Sequence, residues 1–271
     1  MKLCLSQSCT MTTPFADDLV AFADGGCLAV EVWLTKLEMH LQSYSVDETL
    51  RLIERHGLTL AAAAMQGGLL LSQGEKRTAH WDHFKRRLDL CERFRIPVLV
   101  VAADPATRVE PPLIGRGLES LAEVARWAAG FGVRIAFEFH GTDSICTSLE
   151  SAVRIVDAVG EPNLGVCLDA FHFFKGPSKE ADLQLLTNAN LAHVQLCDVS
   201  GEFRETMTDS DRIFPGEGDF LLEPILNRLR EIDYSVSVSL ELVNPILWQS
   251  KPTQVVELGM TALTRLFPPG A

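Results

Sequence analysis

Eight short apolar runs alternate without a break with eight longer amphipathic segments, and few folds accommodate that order. The runs are KLCLSQS, CLAVEVWL, LTLAAAAM, PVLVVAA, RIAFEFH, NLGVCLDAF, LAHVQLCDV and SVSVSLELV. The segments that follow them are FADDLVAFA, SVDETLRLIERHG, HWDHFKRRLDLCERF, LESLAEVARWAAGFG, SLESAVRIVDAVG, the more polar SKEADLQLLTNA, FLLEPILNRLREI and TQVVELGMTALTRLF. In the second segment Ser45 and Glu48 have the spacing of a capping box, and Gly57 marks the stop. Strict alternation predicts parallel strands joined by crossover helices. Eight units in 271 residues fit one (β/α)8 barrel over 1–271. A doubly wound open sheet is the alternative, but the Gly-rich phosphate loop expected after its first strand is missing. The longest irregular stretch, residues 198–220 (DVSGEFRETMTDSDRIFPGEGDF), lies between the seventh strand and its helix. A loop of that length in a compact domain points to function.

Alternate residues of a strand face opposite sides. In SVSVSLEL the serines and Glu241 share one face, and the apolar face packs on helices, so Glu241 points into the barrel at the strand's C-terminal end. The same reasoning places Glu138 with Arg134, Ala136 and His140, Asp169 with Gly165 and Cys167, and Gln195 with His193 and Cys197. Four successive strands thus send Glu138, Asp169, Gln195 and Glu241 to one mouth, the C-terminal one, where barrels of this kind carry their sites. Three carboxylates gathered there repel one another unless one is protonated or a cation joins them. Three acids and an amide oxygen form a hard donor set. It suits one divalent metal, Mn²⁺ or Mg²⁺ before Zn²⁺ or Co²⁺.

Composition narrows the partners. The net charge is −12, which repels phosphate backbones and anionic lipids and argues against nucleic-acid and membrane partners. No run reaches the roughly 18–20 apolar residues of a membrane span. The start, MKLCLSQSCTMTTPF, has no signal-peptide core and reads as a cytoplasmic N-terminus. Seven scattered cysteines without a CxxC pair fit a reducing compartment. Trp248 and the Pro-rich C-terminus are candidates for a homodimer contact.

The segments FEFHG (137–141), GVCLDAFHFF (165–174), HVQLCDVSG (193–201), DRIFPGEGDF (211–220) and SVSLELVNP (237–245) carry a family resemblance. They resemble the sugar phosphate isomerase/epimerase family of xylose-isomerase-like TIM barrels, in order and spacing most of all its inosose isomerase branch. The resemblance implies that Glu138, Asp169, Gln195 and Glu241 are metal ligands. Many members have His where this chain has Gln195; dehydroshikimate-dehydratase-like members carry Gln. The implied activity is isomerisation or epimerisation of a small polyhydroxy carbonyl compound through an enediolate, with Glu138 and Glu241 as acid and base and His172 assisting. His172, Arg212 and His140 are the implied substrate contacts, with Arg212 otherwise paired to Asp209, Asp211 or Glu217. The alternatives are a dehydratase acting on a cyclic hydroxyketone and a non-catalytic sugar-binding barrel. A metal-dependent endonuclease of the same superfamily fits poorly, because few of the seven histidines fall at strand ends. Glu31 and Trp33, ending the second strand, are further pocket candidates. Lys76 and Arg77, ahead of the third helix, read as solvated surface. Cys167 and Cys197 lack a paired base that would make either a nucleophile.

Overall fold

The computed structural model describes residues 1–268. Eight parallel strands pair in chain order: β1 (Lys2–Ser6), β2 (Ala29–Trp33), β3 (Thr59–Gln66), β4 (Val98–Ala102), β5 (Arg134–Glu138), β6 (Leu164–Asp169), β7 (Leu191–Leu196) and β8 (Ser237–Leu240). β1 also pairs with β8, with Lys2 opposite Ser237 and Leu5 opposite Leu240, so the sheet closes. Closure excludes the doubly wound alternative, which has two free edges. The fold is the (β/α)8 TIM barrel that the alternation of segments predicts.

Helices α1 (Phe15–Asp24), α2 (Leu34–His40), α3 (Val46–Arg55), α4 (Gly74–Arg93), α5 (Pro111–Ala129), α6 (Leu149–Val159), α7 (Ala170–Lys175), α8 (Glu223–Glu231) and α9 (Pro252–Leu266) surround the strands. Their apolar stripes meet the outward residues of the strands, among them Leu5, Val32, Leu99, Phe137, Leu168, Val194 and Leu240, in one continuous core. Each fully buried Leu or Phe of that layer is worth about 1.5–3 kcal/mol, so this layer holds the fold together. The inner face differs. Ala62, Val98, Val100, Ala136, Cys167 and Ala192 line the barrel, with Cys4, Ala29 and Ala61 in a second small cluster. These small side chains leave the axis free for three long polar ones, Glu31, His193 and Gln195, each at most 1% exposed.

The expected capping box forms: the Ser45 side chain accepts from the Glu48 N–H, and Glu48 accepts in return from the Ser45 N–H. Several boundaries differ from expectation. α4 starts at Gly74, so Lys76 and Arg77 lie inside this helix and not ahead of it. Arg77 is no solvated surface residue, for it donates to Leu69 O, Ser120 Oγ and Glu123, tying α4 to α5. SKEADLQLLTNA forms only a short 3₁₀ turn, Glu180–Leu185. An α-helix, α7, instead starts directly at the end of β6, inside the run read as strand, because Asp169 Oδ1 caps it by accepting the His172 N–H at 2.9 Å. α2 follows β2 without a loop and has no counterpart in the sequence reading. Among the described residues, no helix is long and apolar enough to cross a membrane.

Candidate active site

Glu138 ends β5, Asp169 ends β6 and Glu241 stands one residue beyond β8, where its N–H still bonds Leu196 O. The structure brings the three together: a carboxylate oxygen from each lies within 4.8 Å of the others, and all three residues are buried. Arg212 reaches into this ring from the 198–220 loop and is 2% exposed. Its Nη1 donates to Asp169 Oδ2 at 2.7 Å and to Glu241 Oε2 at 3.0 Å. Its Nε and Nη2 donate to Asp209 Oδ1 at 3.0 and 2.7 Å, and its guanidinium lies 4.6 Å from the centre of the Phe171 ring. Of the three pairings expected outside the site, only the one with Asp209 forms.

One arginine affects its two neighbours differently. Burial opposes ionisation of Asp169, but the Arg212 charge, His172 and the His172 N–H outweigh it and bring the carboxyl down to about 2. Burial also opposes ionisation of Glu241, and there it prevails. Glu241 shares a single Arg212 N–H and faces the charges of Glu31, Asp169 and Glu138, so its carboxyl is pushed well above the usual range. Neighbouring acids whose ionisation is pushed in opposite directions suit proton transfer.

Two histidines complete the mouth. The His140 and His172 rings stack, with centroids 4.4 Å apart and planes at 20°. Their approach depends on two glycines. A Cβ on Gly141 would lie 2.7 Å from Gly176 N, and one on Gly176 would lie 2.5 Å from Thr147 O, so nothing larger lets the β5 loop meet the end of α7. His140 Nε2 lies 3.6 Å from Glu138 Oε2 and is buried without a hydrogen-bond partner. His172 Nε2 lies 3.9 Å from Glu138 Oε1. The Gly141 N–H faces His172 Nδ1 at 3.4 Å, which assigns the lone pair to Nδ1 and, in the neutral ring, the proton to Nε2. Burial lowers His172. Burial also opposes charge on His140, but the adjacent Glu138 carboxylate outweighs it and raises that ring.

Gln195 lies lower. Its Nε2 donates to Glu31 Oε1 at 3.0 Å, and its Oε1 accepts the Cys167 thiol at 3.1 Å. Glu31 does not line the pocket, as its strand-end position suggested; it is wholly buried on the barrel axis, with His193 Nε2 2.5 Å from its Oε2. Burial pushes the Cys167 and Cys197 thiols well up, which leaves neither nucleophilic. Trp248 is half-buried, and its indole N–H donates to Ser8 O, so it braces the β1 end and is not free surface. Pro269, part of the same expected dimer contact, lies outside the described residues.

Sequence reasoning missed Asp198 altogether. Its carboxylate accepts the N–H groups of Val199, Gly216 and Phe220, each at 2.9 Å, and so clamps both ends of the loop that delivers Arg212. The only signal for it was an Asp opening a Gly- and Ser-bearing loop. Asp198→Ala strands these donors, is expected to cost about 1–3 kcal/mol, and should open the loop to proteases. Limited proteolysis with mapping of cuts between residues 200 and 219 checks this.

A closed barrel with three carboxylates, two histidines and an arginine at its C-terminal mouth is a (β/α)8 protein of the kind that carries enzyme sites there. Residues 19–266 match the xylose isomerase-like TIM barrel family, and the chain belongs to that family. The inosose isomerase of Halalkalibacterium halodurans is 28% identical over 95% of this chain and 93% of its own length. The 3-dehydroshikimate dehydratase of Pseudomonas aeruginosa is 27% identical over 63% of this chain and 27% of its own. A crystal structure of the IOLI protein with a bound zinc atom superposes with a TM-score of 0.91 at 24% identity, covering 98% of both chains.

Proposed function

We propose that the protein is a divalent-metal-dependent isomerase or epimerase of a small polyhydroxy carbonyl compound, with an inosose the first candidate substrate. The observation that carries this reading is the meeting of carboxylate oxygens from Glu138, Asp169 and Glu241 within 4.8 Å at the barrel mouth. Inosose isomerases among the relatives support the substrate class.

The residues fit a metal. They offer three hard oxygen donors, and the orphaned His140 Nε2 stands beside them. Glu138, Asp169 and Glu241 would hold the ion, with Gln195 as a neutral fourth donor. This set favours Mg²⁺ or Mn²⁺, while zinc is the metal named for the IOLI structure. Bound there, the metal supplies Lewis-acid polarisation of the substrate carbonyl. Glu138 would remove the proton next to that carbonyl; Glu241, three strands further round the ring, would take the adjacent hydroxyl proton and deliver it to the former carbonyl carbon, and Glu138 would return its proton to the oxygen left there. His172 donates its Nε2–H to a substrate oxygen. Arg212 keeps Asp169 and Glu241 aligned while their charges change.

Glu241 keeps its proton to higher pH than an ordinary glutamate, because its buried carboxyl is raised. It must lose that proton to act as a ligand. Metal uptake is therefore expected to release protons, and apparent affinity should climb as pH rises toward the ionisation of Glu241. Titration calorimetry at about pH 6 in two buffers of different ionisation enthalpy checks this; equal heats would contradict it.

Gln195 and the dehydratase relative favour a second reading, loss of water from a cyclic hydroxyketone. Metal-loaded protein is offered inososes, ketoses and 3-dehydroshikimate. Incorporation of solvent deuterium into an inosose or ketose supports the isomerase. A rise in ultraviolet absorbance with dehydroshikimate alone replaces it with the lyase, and retained metal without turnover of any of them leaves a binding barrel.

A further inference from the structure

Glu31 has no part in the mechanism above, yet two side-chain donors, one of them braced from behind, converge on it. Gln195 Nε2 donates to its Oε1 at 3.0 Å, and His193 Nε2 lies 2.5 Å from its Oε2. A neutral His193 that donates from Nε2 must accept at Nδ1, where Ser237 Oγ lies 3.2 Å away. His193 and Gln195 therefore each donate to one oxygen of the carboxylate, and Ser237 holds the His193 ring in that tautomer from its other nitrogen.

The consequence falls on Gln195. The two ends of a primary amide have nearly the same shape and opposite polarity. A carboxylate can only accept, so it selects the NH₂ end. With that end held by Glu31, Oε1 turns the other way and receives only the Cys167 thiol at 3.1 Å, a weak donor that leaves a lone pair unused. Gln195 is the ladder partner of Asp169 across β6 and β7, and the Cys167 thiol that its oxygen meets faces the charges of Glu138, Asp169 and Glu241.

We infer that Glu31, braced by His193 and Ser237, is a positioning residue that fixes the polarity of the Gln195 amide and presents its carbonyl oxygen to a cation held by Glu138, Asp169 and Glu241. The inference rests on the metal reading above. It explains how a neutral amide serves at this position. Without Glu31 the amide is free to turn its NH₂ toward the cation, and an N–H end repels it.

Mn²⁺ affinity, measured by calorimetry, and the absorption spectrum of the Co²⁺ form test this without any substrate. Four proteins are compared: wild type, Glu31→Gln, Gln195→Ala and the double variant. Glutamine at 31 can offer either an oxygen or an NH₂, so it removes the selection while keeping the shape. Glu31→Gln is expected to weaken Mn²⁺ binding by about 10–100-fold and to shift the Co²⁺ spectrum. In the Gln195→Ala background the same change should have almost no further effect, because Glu31 acts through Gln195. A folded Glu31→Gln protein with wild-type affinity, or losses that simply add in the double variant, overturns the inference and leaves the metal reading standing. A wild type that binds no Mn²⁺ overturns both. If Glu31→Gln does not fold, a crystal structure of the Mn²⁺-loaded wild type decides. An amide atom of Gln195 within about 2.0–2.4 Å of the ion, with Glu31 on the other end, upholds the inference; an ion out of reach of that amide overturns it.

Discussion

Glu138→Gln is expected to slow solvent deuterium exchange into the substrate by about 10²–10⁴-fold while leaving the barrel folded. Glu138 belongs to both groups of ligand-capable side chains at the mouth, one with Asp169 and Glu241 and one with His140 and His172. Among the described residues it is the single carboxylate in reach of both imidazoles, at 3.6 and 3.9 Å. Glutamine preserves its shape and an acceptor oxygen but cannot take a proton. Its loss also removes the charge that raises His140, so this ring should return toward the lower value that burial favours. NMR exchange rates in D₂O, read beside the metal content of the same sample, separate two effects. Retained metal with lost exchange identifies Glu138 as the base, and joint loss identifies a ligand. Exchange within tenfold of wild type in a folded variant would remove Glu138 from the proton transfer.

Arg212→Gln should have the largest effect on the stability of the metal-free protein, about 3–5 kcal/mol. Arg212 is the buried cation among Asp169, Asp209 and Glu241, and its removal leaves Asp169 uncompensated beside Glu241. The pH dependence follows from Asp169. Its folded value, about 2, lies below the ordinary value. The stability it contributes is present above the unfolded value of about 4 and is lost as pH falls through about 2. Without Arg212 the depression disappears. The gap between variant and wild type should therefore be widest near neutral pH and should narrow as pH falls below about 4 and through about 2, where Asp169 is protonated in both proteins. Thermal melts with chelator at about pH 7 and about pH 2.5 measure both gaps. Divalent metal added at neutral pH should restore part of the loss, since it supplies the missing positive charge. Equal gaps at the two pH values would show that Arg212 acts through packing on Phe171 and not through its charge.

Strand phase carried most of what was legible beforehand. Because side chains alternate with period two, one apolar face on SVSVSLEL was enough to aim Glu241 inward, and the same held for Glu138 and Asp169. Helix edges were less readable. Asp169 works both as a site carboxylate and as the cap of α7, and the sequence shows one acid without showing two uses. Long-range partners were not readable at all. Gln195 and Glu31 stand 164 residues apart, and nothing local announces that an amide on β7 will rest on an acid from β2. The Arg212 contacts depend on how a loop folds back, which periodicity does not address. Asp198 was invisible for the same reason, since its three partners are backbone N–H groups that any sequence supplies.

The clamp at Asp198 divides its loop into two parts with separate fates. Residues 211–220 are tied down and carry the arginine, whereas residues 200–206 are exposed throughout and include Phe203 at 78% exposure. The outer part is fastened separately, by Lys175 Nζ donating to Arg204 O and Glu205 O and by Arg204 Nε donating to Phe174 O at the end of α7. Side chains that face outward from it, such as Phe203, can be exchanged while these ties and the registration of Arg212 with Asp169 and Glu241 are kept. A barrel built this way can acquire a new preference at its entrance without reopening its chemistry.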